Sequence, residues 1–546
     1  MSYPRPQLQR SSFLSLDGQW DLKLDSGLCK INVPFSPEAQ LSGVPRQMHL
    51  IRNLEYRRVF QIPEGFSKGR VLINFGAVDQ ICTVKVNSIT VGSHEGGYLG
   101  FSFDITEALK DGYNELCVIV ADDLEKTGYG RGKQTDKPRT IWYTAQSGIW
   151  QSVWLESVPD IYISKIRITP LFDQKAVEIT VFSQASKTGE FSMPDHSMSF
   201  ITNRPFKVYG DFESWTPDNP VLHYFTLKLG LDTVTSYFAM RKFSTDGHRL
   251  CLNNKPLFHS GVLDQGYWPD GLYTAPSEQA LEFDIKAMKA LGFNTLRKHI
   301  KVEPLLWYHM CDKLGMLVWQ DMPSGGGPYK HPIVTWPVIT QMSISDSFYK
   351  LFGRKNESQK QAYRKELAEM IDYLYNTPCI AMWVPFNEGW GQFDAKEAVQ
   401  LIQQIDTTRT IDHASGWHDQ GIGPFESRHI YFKPYVYRKP RKKRIAILSE
   451  FGGYNLAIEN HTYNNVSYGY KDISGTSDLE KAFADLYFSQ ILKAKKQGLA
   501  ACIYTQLSDV ETETNGLYTY DRKVLKIDAN LVRELNRLLL EEESQS

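Results

Sequence analysis

Short apolar runs alternate with turn residues along the first 158 residues, and no long amphipathic helix interrupts them. Typical runs are Arg70–Val78, Cys82–Gly92 and Glu115–Asp122. Strands of this length and spacing predict a β-sandwich. Residues 159–243 again hold only strand patterns, over about the length of one immunoglobulin-like sandwich.

The pattern changes after residue 243, where short apolar strands begin to alternate with long amphipathic helices. The predicted strands are 257–263, 293–298, 316–320, 380–386, 409–413, 428–432, 444–449 and 499–505. The predicted helices are 277–291, 304–314, 357–376, 394–405, 478–497 and 529–542. Eight strands over this length predict a (β/α)8 barrel, although the pattern offers no helix after strand five or six.

Charge and composition exclude several classes of function. The chain has 61 Lys and Arg against 62 Asp and Glu, so no overall field favours nucleic acid or an anionic membrane as partner. The chain has no run of 18 apolar residues, so no membrane span is predicted, and the N-terminus has no signal-peptide pattern. The seven cysteines are scattered and without CxxC spacing. Reduced thiols in a cytoplasmic protein are the expectation.

Two predicted barrel strands end in a glutamate. Strand four reads CIAMWVPFNEGWG and leads into Glu388, and strand seven reads RIAILSEFGG and leads into Glu450. Catalytic groups of such barrels stand at the carboxyl ends of the strands. Glycoside hydrolysis needs one neutral and one ionised carboxyl; pairs roughly 5–5.5 Å apart retain the anomeric configuration, and wider pairs invert it. Either glutamate alone could instead cap a helix or pair with an arginine.

Five longer motifs carry a family resemblance: LDGQWDL (Leu16–Leu22), QSGIWQSVWLE (Gln146–Glu156), ESWTPDNPVLHYFTLKL (Glu213–Leu229), GFNTLRKHIKVEP (Gly292–Pro304) and LGMLVWQDMP (Leu314–Pro323). In this order they resemble glycoside hydrolase family 2, the family of β-galactosidases, β-glucuronidases and β-mannosidases. The resemblance covers nearly the whole chain.

The resemblance implies a multidomain fold. Residues 1–158 would form an N-terminal jelly-roll β-sandwich of the sugar-binding type, 159–243 an immunoglobulin-like sandwich, and 244–546 a catalytic (β/α)8 TIM barrel. The implied activity is that of a retaining, exo-acting β-glycosidase, most similar to β-galactosidases, which works by double displacement through a covalent glycosyl-enzyme. Its substrate would be a small glycoside or oligosaccharide.

The resemblance also implies residue roles at the positions that match the family's motifs. Glu388 would be the general acid/base and Glu450 the nucleophile. Asn387 would bind the sugar 2-hydroxyl. Arg297 would keep Glu450 ionised by lowering its pKa, since an opposite charge favours the carboxylate. Tyr431 matches a tyrosine that contacts the nucleophile.

Weaker candidates come from other strand ends and loops. His299 follows strand two, and Asp264, just past strand one, is a candidate for binding a sugar hydroxyl. Asp509 and Glu511, beyond strand eight, are interpreted as a surface loop. The aromatic candidates for a sugar platform are Trp268, Trp390, Trp417 and Tyr504.

The chain departs from the family pattern in two places. In strand six, relatives show an acidic residue followed by His-x-Tyr-Pro, whereas this chain has Ser427, His429, Tyr431 and Phe432. This leaves the role of Tyr431 open and gives His429 less weight. After strand eight, glucuronide-specific members place an Asn-x-Lys pair, and here Asn515–Leu517 lacks the lysine. A β-glucuronide is therefore less favoured than a β-mannoside or an α-L-arabinoside as the alternative glycone.

Other classes of function remain as alternatives. A non-catalytic carbohydrate-binding protein is one, supported by the atypical strand six. A metal hydrolase is disfavoured because neither HExxH nor clustered metal ligands occur. No cofactor is expected to be required, and a Mg²⁺ or Na⁺ ion, which some relatives hold, cannot be assigned ligands. Because relatives are often dimers or tetramers, a homo-oligomer is left open.

Overall fold

The first domain is a sandwich of two antiparallel sheets in a computed structural model that describes residues 2–45, 53–124 and 128–541. One sheet has the strand order Phe13–Ser15, Val153–Val158, Arg70–Phe75 and Phe101–Asp104. The other has the order Gly27–Val33, Gly18–Leu24, Asn53–Gln61, Tyr113–Ala121, Ile81–Val86 and Ile89–Glu95. A buried apolar layer that includes Trp20 and Phe75 joins the sheets, as expected when alternate side chains face inward.

The second domain is a smaller sandwich. Its sheets have the orders Lys165–Leu171, Ala176–Phe182, Pro205–Tyr209, and His196–Ile201, Thr188–Met193, His223–Leu229, Asp232–Phe238. Their shared core includes Ile179, Phe191 and Leu227. A three-stranded sheet of Phe243–Asp246, Arg249–Leu252 and Lys255–Pro256 then leads into the barrel.

The barrel contains all eight predicted strands. They are β1 (His259–Asp264), β2 (Thr295–Lys298), β3 (Leu317–Asp321), β4 (Ile380–Val384), β5 (Thr410–Ile411), β6 (Phe425–Ile430), β7 (Ile445–Gly452) and β8 (Leu499–Thr505). All neighbours pair in parallel in the order β5-β4-β3-β2-β1-β8-β7-β6. The barrel is nearly closed, and the predicted fold class is confirmed.

Each predicted barrel helix is present. The α-helices are α1 (Glu278–Ala290), α2 (Leu305–Leu314), α3 (His331–Thr335), α4 (Pro337–Thr340), α5 (Glu357–Tyr373), α6 (Ala395–Ile405), α7 (Thr476–Leu486), α8 (Leu492–Gln497) and α9 (Ala529–Leu540). The predicted helix 478–497 contains a π-helical turn, Tyr487–Ile491, between α7 and α8. In the described chain no α-helix follows β5 or β6, as the sequence pattern indicated, and only a 3₁₀ turn, Arg441–Lys443, precedes β7.

Each barrel strand has an inner face and an outer face, because successive side chains point to opposite sides. Leu263, Trp319 and Ile503 belong to a cluster drawn from most of the strands, which fills the barrel interior. The strand register aligns Arg297 with Leu263 and Trp319, so Arg297 is on the inner face. Lys298, the next residue, aligns with the residue after Leu263 and is on the outer face.

A segment of the first domain, residues 128–144, lies against the barrel. Gly130 forms a β-bridge with Gly325 in the segment that follows β3. The backbone N–H groups of Arg131 and Gly132 both donate to the Ser324 carbonyl, at 2.8 and 3.0 Å. The first domain therefore contributes side chains to the barrel opening.

No helix in the described ranges has both the length and the apolar character of a membrane span. All seven cysteines are described, and all are free thiols. Six are buried, and Cys29 is partly buried.

Candidate active site

Glu388 follows β4 in an unusual backbone conformation. Its φ is +51°, in the left-handed region that a residue with a Cβ adopts at a cost of about 1–3 kcal/mol. Its N–H donates to the Ser415 carbonyl at 3.0 Å, and Asn387 forms a β-bridge with Ser415. The loop after β5 thus holds the strained residue in place. The side chain is buried near the opening of the barrel.

Glu450 lies near the end of β7, and both of its carboxylate oxygens accept hydrogen bonds. Oε1 lies 3.0 Å from Nη1 of Arg297 on β2. Oε2 accepts a hydrogen bond from the hydroxyl of Tyr431, which follows β6. The structure therefore brings Arg297 and Tyr431 to the carboxylate that each was predicted to contact.

The two glutamates approach each other across the opening. A carboxyl oxygen of Glu388, a carboxyl oxygen of Glu450 and a ring nitrogen of His429 all lie within 4.8 Å of one another. Retaining glycosidases place their carboxyl groups about 5–5.5 Å apart, whereas inverting enzymes need about 6.5–9.5 Å to admit a water. The pair therefore has the spacing of the retaining arrangement.

His429 contacts both sides of this pair. Its Nδ1 lies 2.8 Å from Glu388 Oε1, and its Nε2 lies 3.5 Å from Glu450 Oε1 and 3.4 Å from Arg297 Nη1. Since the guanidinium can only donate, this arrangement favours the tautomer in which Nδ1 carries the proton and donates to Glu388. Burial lowers the pKa of His429 to about 4, so the ring is neutral at pH 7. His429, which the sequence analysis ranked below Tyr431, thus contacts both carboxyl groups.

A glycine makes room for this ring. Gly416 has a φ of +87°, and a Cβ there would lie 2.6 Å from the His429 ring. Any other residue would displace the imidazole that contacts Glu388.

Burial shifts the pKa values of both carboxyl groups upward. The pKa of Glu388 is raised to about 7, chiefly by burial, while the positive charges of Lys133 and Arg297 oppose the shift. The pKa of Glu450 is also raised by burial, which outweighs the opposing effects of the neighbouring His429 and Arg297. Arg297 lowers the pKa of Glu450 as predicted, but burial raises it by more, so the net shift is upward.

Arg297 organises the barrel interior around the pair. It makes two ion-pair contacts with Asp321 at the end of β3, from Nε and Nη2, each 3.0 Å long. Its Nη2 also donates to Asn387 Oδ1 at 2.7 Å, which leaves the amide NH₂ of Asn387 facing elsewhere. Asp321 also binds His299 Nδ1 at 2.8 Å. The sequence analysis missed Asp321, although it too ends a buried strand.

Three buried polar atoms near the glutamates have no hydrogen-bond partner among the described residues. They are Nδ2 of Asn387, Nε2 of His299 and Nε1 of Trp417. The Trp417 ring lies 6.1 Å from that of His429. Because buried polar groups are nearly always paired, three unpaired ones in one place indicate groups that a ligand would satisfy.

Aromatic rings from the first domain and from the barrel line the opening. Trp390 lies 6.1 Å from the His299 ring and 5.1 Å from Trp142, which the first domain contributes. Tyr431 stacks on Tyr470 at 3.7 Å between ring centroids. Trp142 and Tyr470 were not predicted, since neither lies at a barrel strand end.

Asp264 is on the outer face of β1, away from the barrel interior. Its Oδ2 accepts a hydrogen bond from Lys298 at 2.7 Å, and its Oδ1 accepts one from the Gly266 N–H at 2.9 Å. Its position was predicted from the strand end alone, and the side-chain alternation assigns the inner face to Leu263 instead. We therefore leave Asp264 out of the proposed sugar contacts.

Tyr504 and Trp268 are packed against neighbouring residues of the fold. Tyr504 is on the outer face of β8 and packs so closely on Gly452 that a Cβ there would lie 2.3 Å from its ring. Its neighbour Thr505 is the residue that points inward, with Oγ1 3.2 Å from the Tyr431 hydroxyl. The Arg522 guanidinium covers the ring of Trp268 at 4.1 Å. Neither ring is part of the platform we propose.

The loop after β8 is buried, so its interpretation as a surface loop is wrong. Asp509 is 1% exposed and pairs with Lys526 at 2.6 Å. Glu511 is 2% exposed and accepts a hydrogen bond from the Thr144 N–H at 2.9 Å. The covering segment belongs to the first domain, which no local pattern in the loop reveals.

The grouping of Glu388, His429 and Glu450 has a spacing that would also fit a metal ion. Two contacts argue against that use. Arg297 lies 3.0 Å from Glu450, where it would repel a cation, and His429 Nδ1 is already 2.8 Å from Glu388. The expectation that no cofactor is required stays a prediction.

Comparison with known families decides the assignment. A family model described as "Glycosyl hydrolases family 2, TIM barrel domain" matches residues 244–525, and one described as "Glycosyl hydrolases family 2, sugar binding domain" matches residues 3–159. The chain belongs to glycosyl hydrolase family 2. The predicted family is confirmed.

Family 2 relatives with assigned activities differ in glycone. The chain is 26% identical to a β-galactosidase of Thermoanaerobacter pseudethanolicus over 65% of its own length and 47% of that protein. It is 24% identical to a β-glucuronidase of Bacteroides fragilis over 74% of its own length and 61% of that protein. The chain thus spans about half the length of these relatives.

Solved family 2 structures match the whole fold. A β-glucuronidase from an uncultured Clostridium species has a TM-score of 0.76 at 18% identity, covering 98% of this chain and 99% of the other. A β-galacturonidase of Eisenbergiella tayi, bound to galacturonate, has a TM-score of 0.74 at 19% identity, covering 96% and 97%. At these identities the likeness establishes the fold alone.

Proposed function

We propose that this family 2 protein is a retaining, exo-acting β-glycosidase with Glu388 as acid/base and Glu450 as nucleophile. The observation that carries the proposal is the separation of the carboxyl pair, with oxygens within 4.8 Å of each other at the barrel opening. Burial raises the pKa of Glu388 to about 7, which supports its role as the group that must hold a proton in the first step.

The reaction has two steps. Glu450 attacks the anomeric carbon while Glu388 protonates the leaving oxygen, which gives a covalent glycosyl-enzyme and releases the aglycone. Glu388, now a carboxylate, then removes a proton from a water that attacks the anomeric carbon and releases the sugar and Glu450. Arg297 and Tyr431 stabilise the charge on Glu450 between turnovers.

The first domain supports exo action. Its residues 128–144 lie against the barrel and place Trp142 beside Trp390, 5.1 Å away, at one side of the opening. A closed side favours one terminal sugar over an internal segment of a polymer. The sequence prediction favoured galactose, but the relatives include both galactosidases and glucuronidases, so neutral and acidic sugars must both be tested.

The test is hydrolysis of a panel of nitrophenyl β-glycosides by the parent and by Glu450→Gln. We expect the parent to cleave at least one substrate, with a product that NMR shows to have the β-configuration when first formed. The variant should lose at least about 1,000-fold in kcat. An initial α-product would contradict retention, and a parent inactive on the whole panel would favour the carbohydrate-binding alternative.

A further inference from the structure

One buried cation near the carboxyl pair lacks an anionic partner. Lys133 is 5% exposed, and in the described part of the chain its Nζ makes neither a hydrogen bond nor an ion pair. Its neighbours are aromatic faces, with Nζ 5.5 Å from the centroid of Tyr143 and 5.7 Å from that of Trp390. At this burial, aromatic faces stabilise an ammonium group less than a carboxylate partner would.

The charge of Lys133 reaches the reaction centre. It lowers the pKa of Glu388 and of Glu450, and it disfavours protonation of His299, whose pKa it also lowers. Trp390, which Lys133 contacts, lies 6.1 Å from the His299 ring. The ammonium group and the His299 ring therefore both lie close to Trp390, and the ammonium group is near enough to the carboxyl pair to influence its charge.

The backbone around Lys133 is held rigidly. The N–H of Gly132 donates to the Ser324 carbonyl at 3.0 Å, and the carbonyl of Lys133 accepts from the Tyr143 N–H at 3.0 Å. Gly132 has a φ of +60°, and a Cβ there would lie 2.8 Å from the Tyr273 hydroxyl. The fold thus fixes the backbone of this lysine against the barrel.

We propose that Lys133 is a specificity-determining residue that binds a carboxylate on the sugar, so that the substrates are β-linked uronides. This rests on the proposed glycosidase function. An ammonium group has three donors and no acceptor, and a carboxylate is the sugar substituent that pairs with it in charge as well as in hydrogen bonding. Asn515–Leu517 lacks the lysine expected of glucuronide-specific members, and Lys133 supplies a cation from a different domain.

The test compares substrates that differ only at this substituent. They are the nitrophenyl β-glucuronide and β-glucoside, and the nitrophenyl β-galacturonide and β-galactoside. We expect the parent to prefer the acidic member of at least one pair. Lys133→Met should lower kcat/KM for that acid about 10- to 100-fold, and for the neutral partner less than about 3-fold. Lys137→Met, which removes an exposed lysine of the same segment, should change neither.

Each other result would overturn the proposal. Preference for the neutral member in both pairs, or no cleavage of either pair, would exclude uronides. Equal losses on both members would make Lys133 a structural residue. Lys133→Arg keeps the charge and should keep the acidic preference, which provides the answer if the methionine variant does not fold. A parent that hydrolyses no glycoside would instead refute the proposed function.

Discussion

Two adjacent residues of β2 lead into two buried charge clusters of different kinds. Arg297 belongs to the inner cluster, which also contains Asp321, Asn387, Glu388, His429 and Glu450. Lys298 belongs to the outer cluster, which also contains Asp264, Lys301 and Glu303. In the outer cluster Lys298 donates to Asp264 at 2.7 Å and to Glu303 at 2.8 Å, and its Nζ lies 4.2 Å from the Trp307 ring of α2.

The difference shows what distinguishes a reactive cluster from a structural one. In the outer cluster two lysines face two carboxylates, so the charges balance and join β1 and β2 to the helix layer. In the inner cluster the donor Nδ2 of Asn387 is unpaired, and Glu388 is held at a φ of +51°. In the outer cluster Oε2 of Glu303 is unpaired as well, but it belongs to a carboxylate whose Oε1 accepts from both lysines. The charges of the two clusters are therefore equally buried but differ in role. A strained backbone together with an unpaired donor, more than buried charge itself, marks the functional cluster.

The largest effect is expected from Glu388→Gln. With an alkyl aglycone, which leaves only when protonated, kcat/KM should fall about 100- to 10,000-fold. Parent kcat/KM should decline as pH rises through about 7, because the proton is then lost from Glu388. The variant should lack this basic limb, as pH–rate profiles would show.

A matched carboxyl provides the control for that profile. Glu38 of the first domain has its pKa raised by burial to about 7 as well, and it lies against Ser147, away from the inner cluster. Glu38→Gln should keep the basic limb. A limb that survives in Glu388→Gln would assign it to another group and contradict the acid/base role.

The second effect compares the clusters directly. Arg297→Met leaves Asp321 and Glu450 without their cation, and Lys298→Met leaves Asp264 without its cation. Each substitution should lower the free energy of unfolding by about 3–5 kcal/mol. Only Arg297→Met should also lower kcat of the folded protein, by about 100-fold, because only that cation touches Glu450. Urea unfolding and active-site titration would separate the two quantities. Equal losses of kcat in Arg297→Met and Lys298→Met would mean that the two clusters do not differ in function.

Local hydrophobic patterns in the sequence predict the barrel and the glutamate pair, but not which side chains face the barrel interior. The change from strand-only runs to strand–helix alternation predicted the barrel, and the apolar strands leading into Glu388 and Glu450 predicted the pair. Both faces of a barrel strand are apolar, however, so the pattern does not reveal which face is inner. Asp264 and Tyr504 were therefore chosen where Leu263 and Thr505 face inward.

Contributions from another domain were harder still to predict. Lys133 and Trp142 reach the barrel because residues 128–144 dock on it, and docking depends on surface complementarity that no periodicity records. His429 was available from the sequence but was given little weight because the surrounding motif is atypical. Its contact with Glu388, 2.8 Å long, depends on the paired strands β6 and β7 and on Gly416.

The third effect concerns the unpaired amide of the inner cluster. Asn387→Ala should lower kcat/KM about 10- to 100-fold if, as we propose, its unpaired Nδ2 binds the 2-hydroxyl in the transition state. A 2-deoxy substrate should lose the same factor with the parent and little more with the variant, as in a double-mutant cycle. Independent, additive losses would mean that Asn387 acts elsewhere.

The fourth effect is a gain in stability. The pKa of Glu388 is raised from 4.5 to about 7 on folding, so the folded state binds more protons between these values and loses stability as pH rises through them. Glu388→Gln removes this penalty and should stabilise the protein by about 1–3 kcal/mol at pH 8, with little change at pH 4. Thermal unfolding at both pH values would test it. A loss of stability at pH 8 would mean that the charged carboxylate is well satisfied.

The smallest effect on activity is expected from Asp264→Asn in the outer cluster. The substitution keeps the shape but weakens the ion pair with Lys298, so the free energy of unfolding should fall by about 1–3 kcal/mol. Since Asp264 faces the helix layer, kcat/KM of the folded fraction should stay within about 3-fold of the parent. A 10-fold or larger loss on a sugar with a particular hydroxyl, absent on its epimer, would mean that Asp264 contacts substrate. The outer face of β1 would then also take part in substrate binding, and the two clusters would not differ in function.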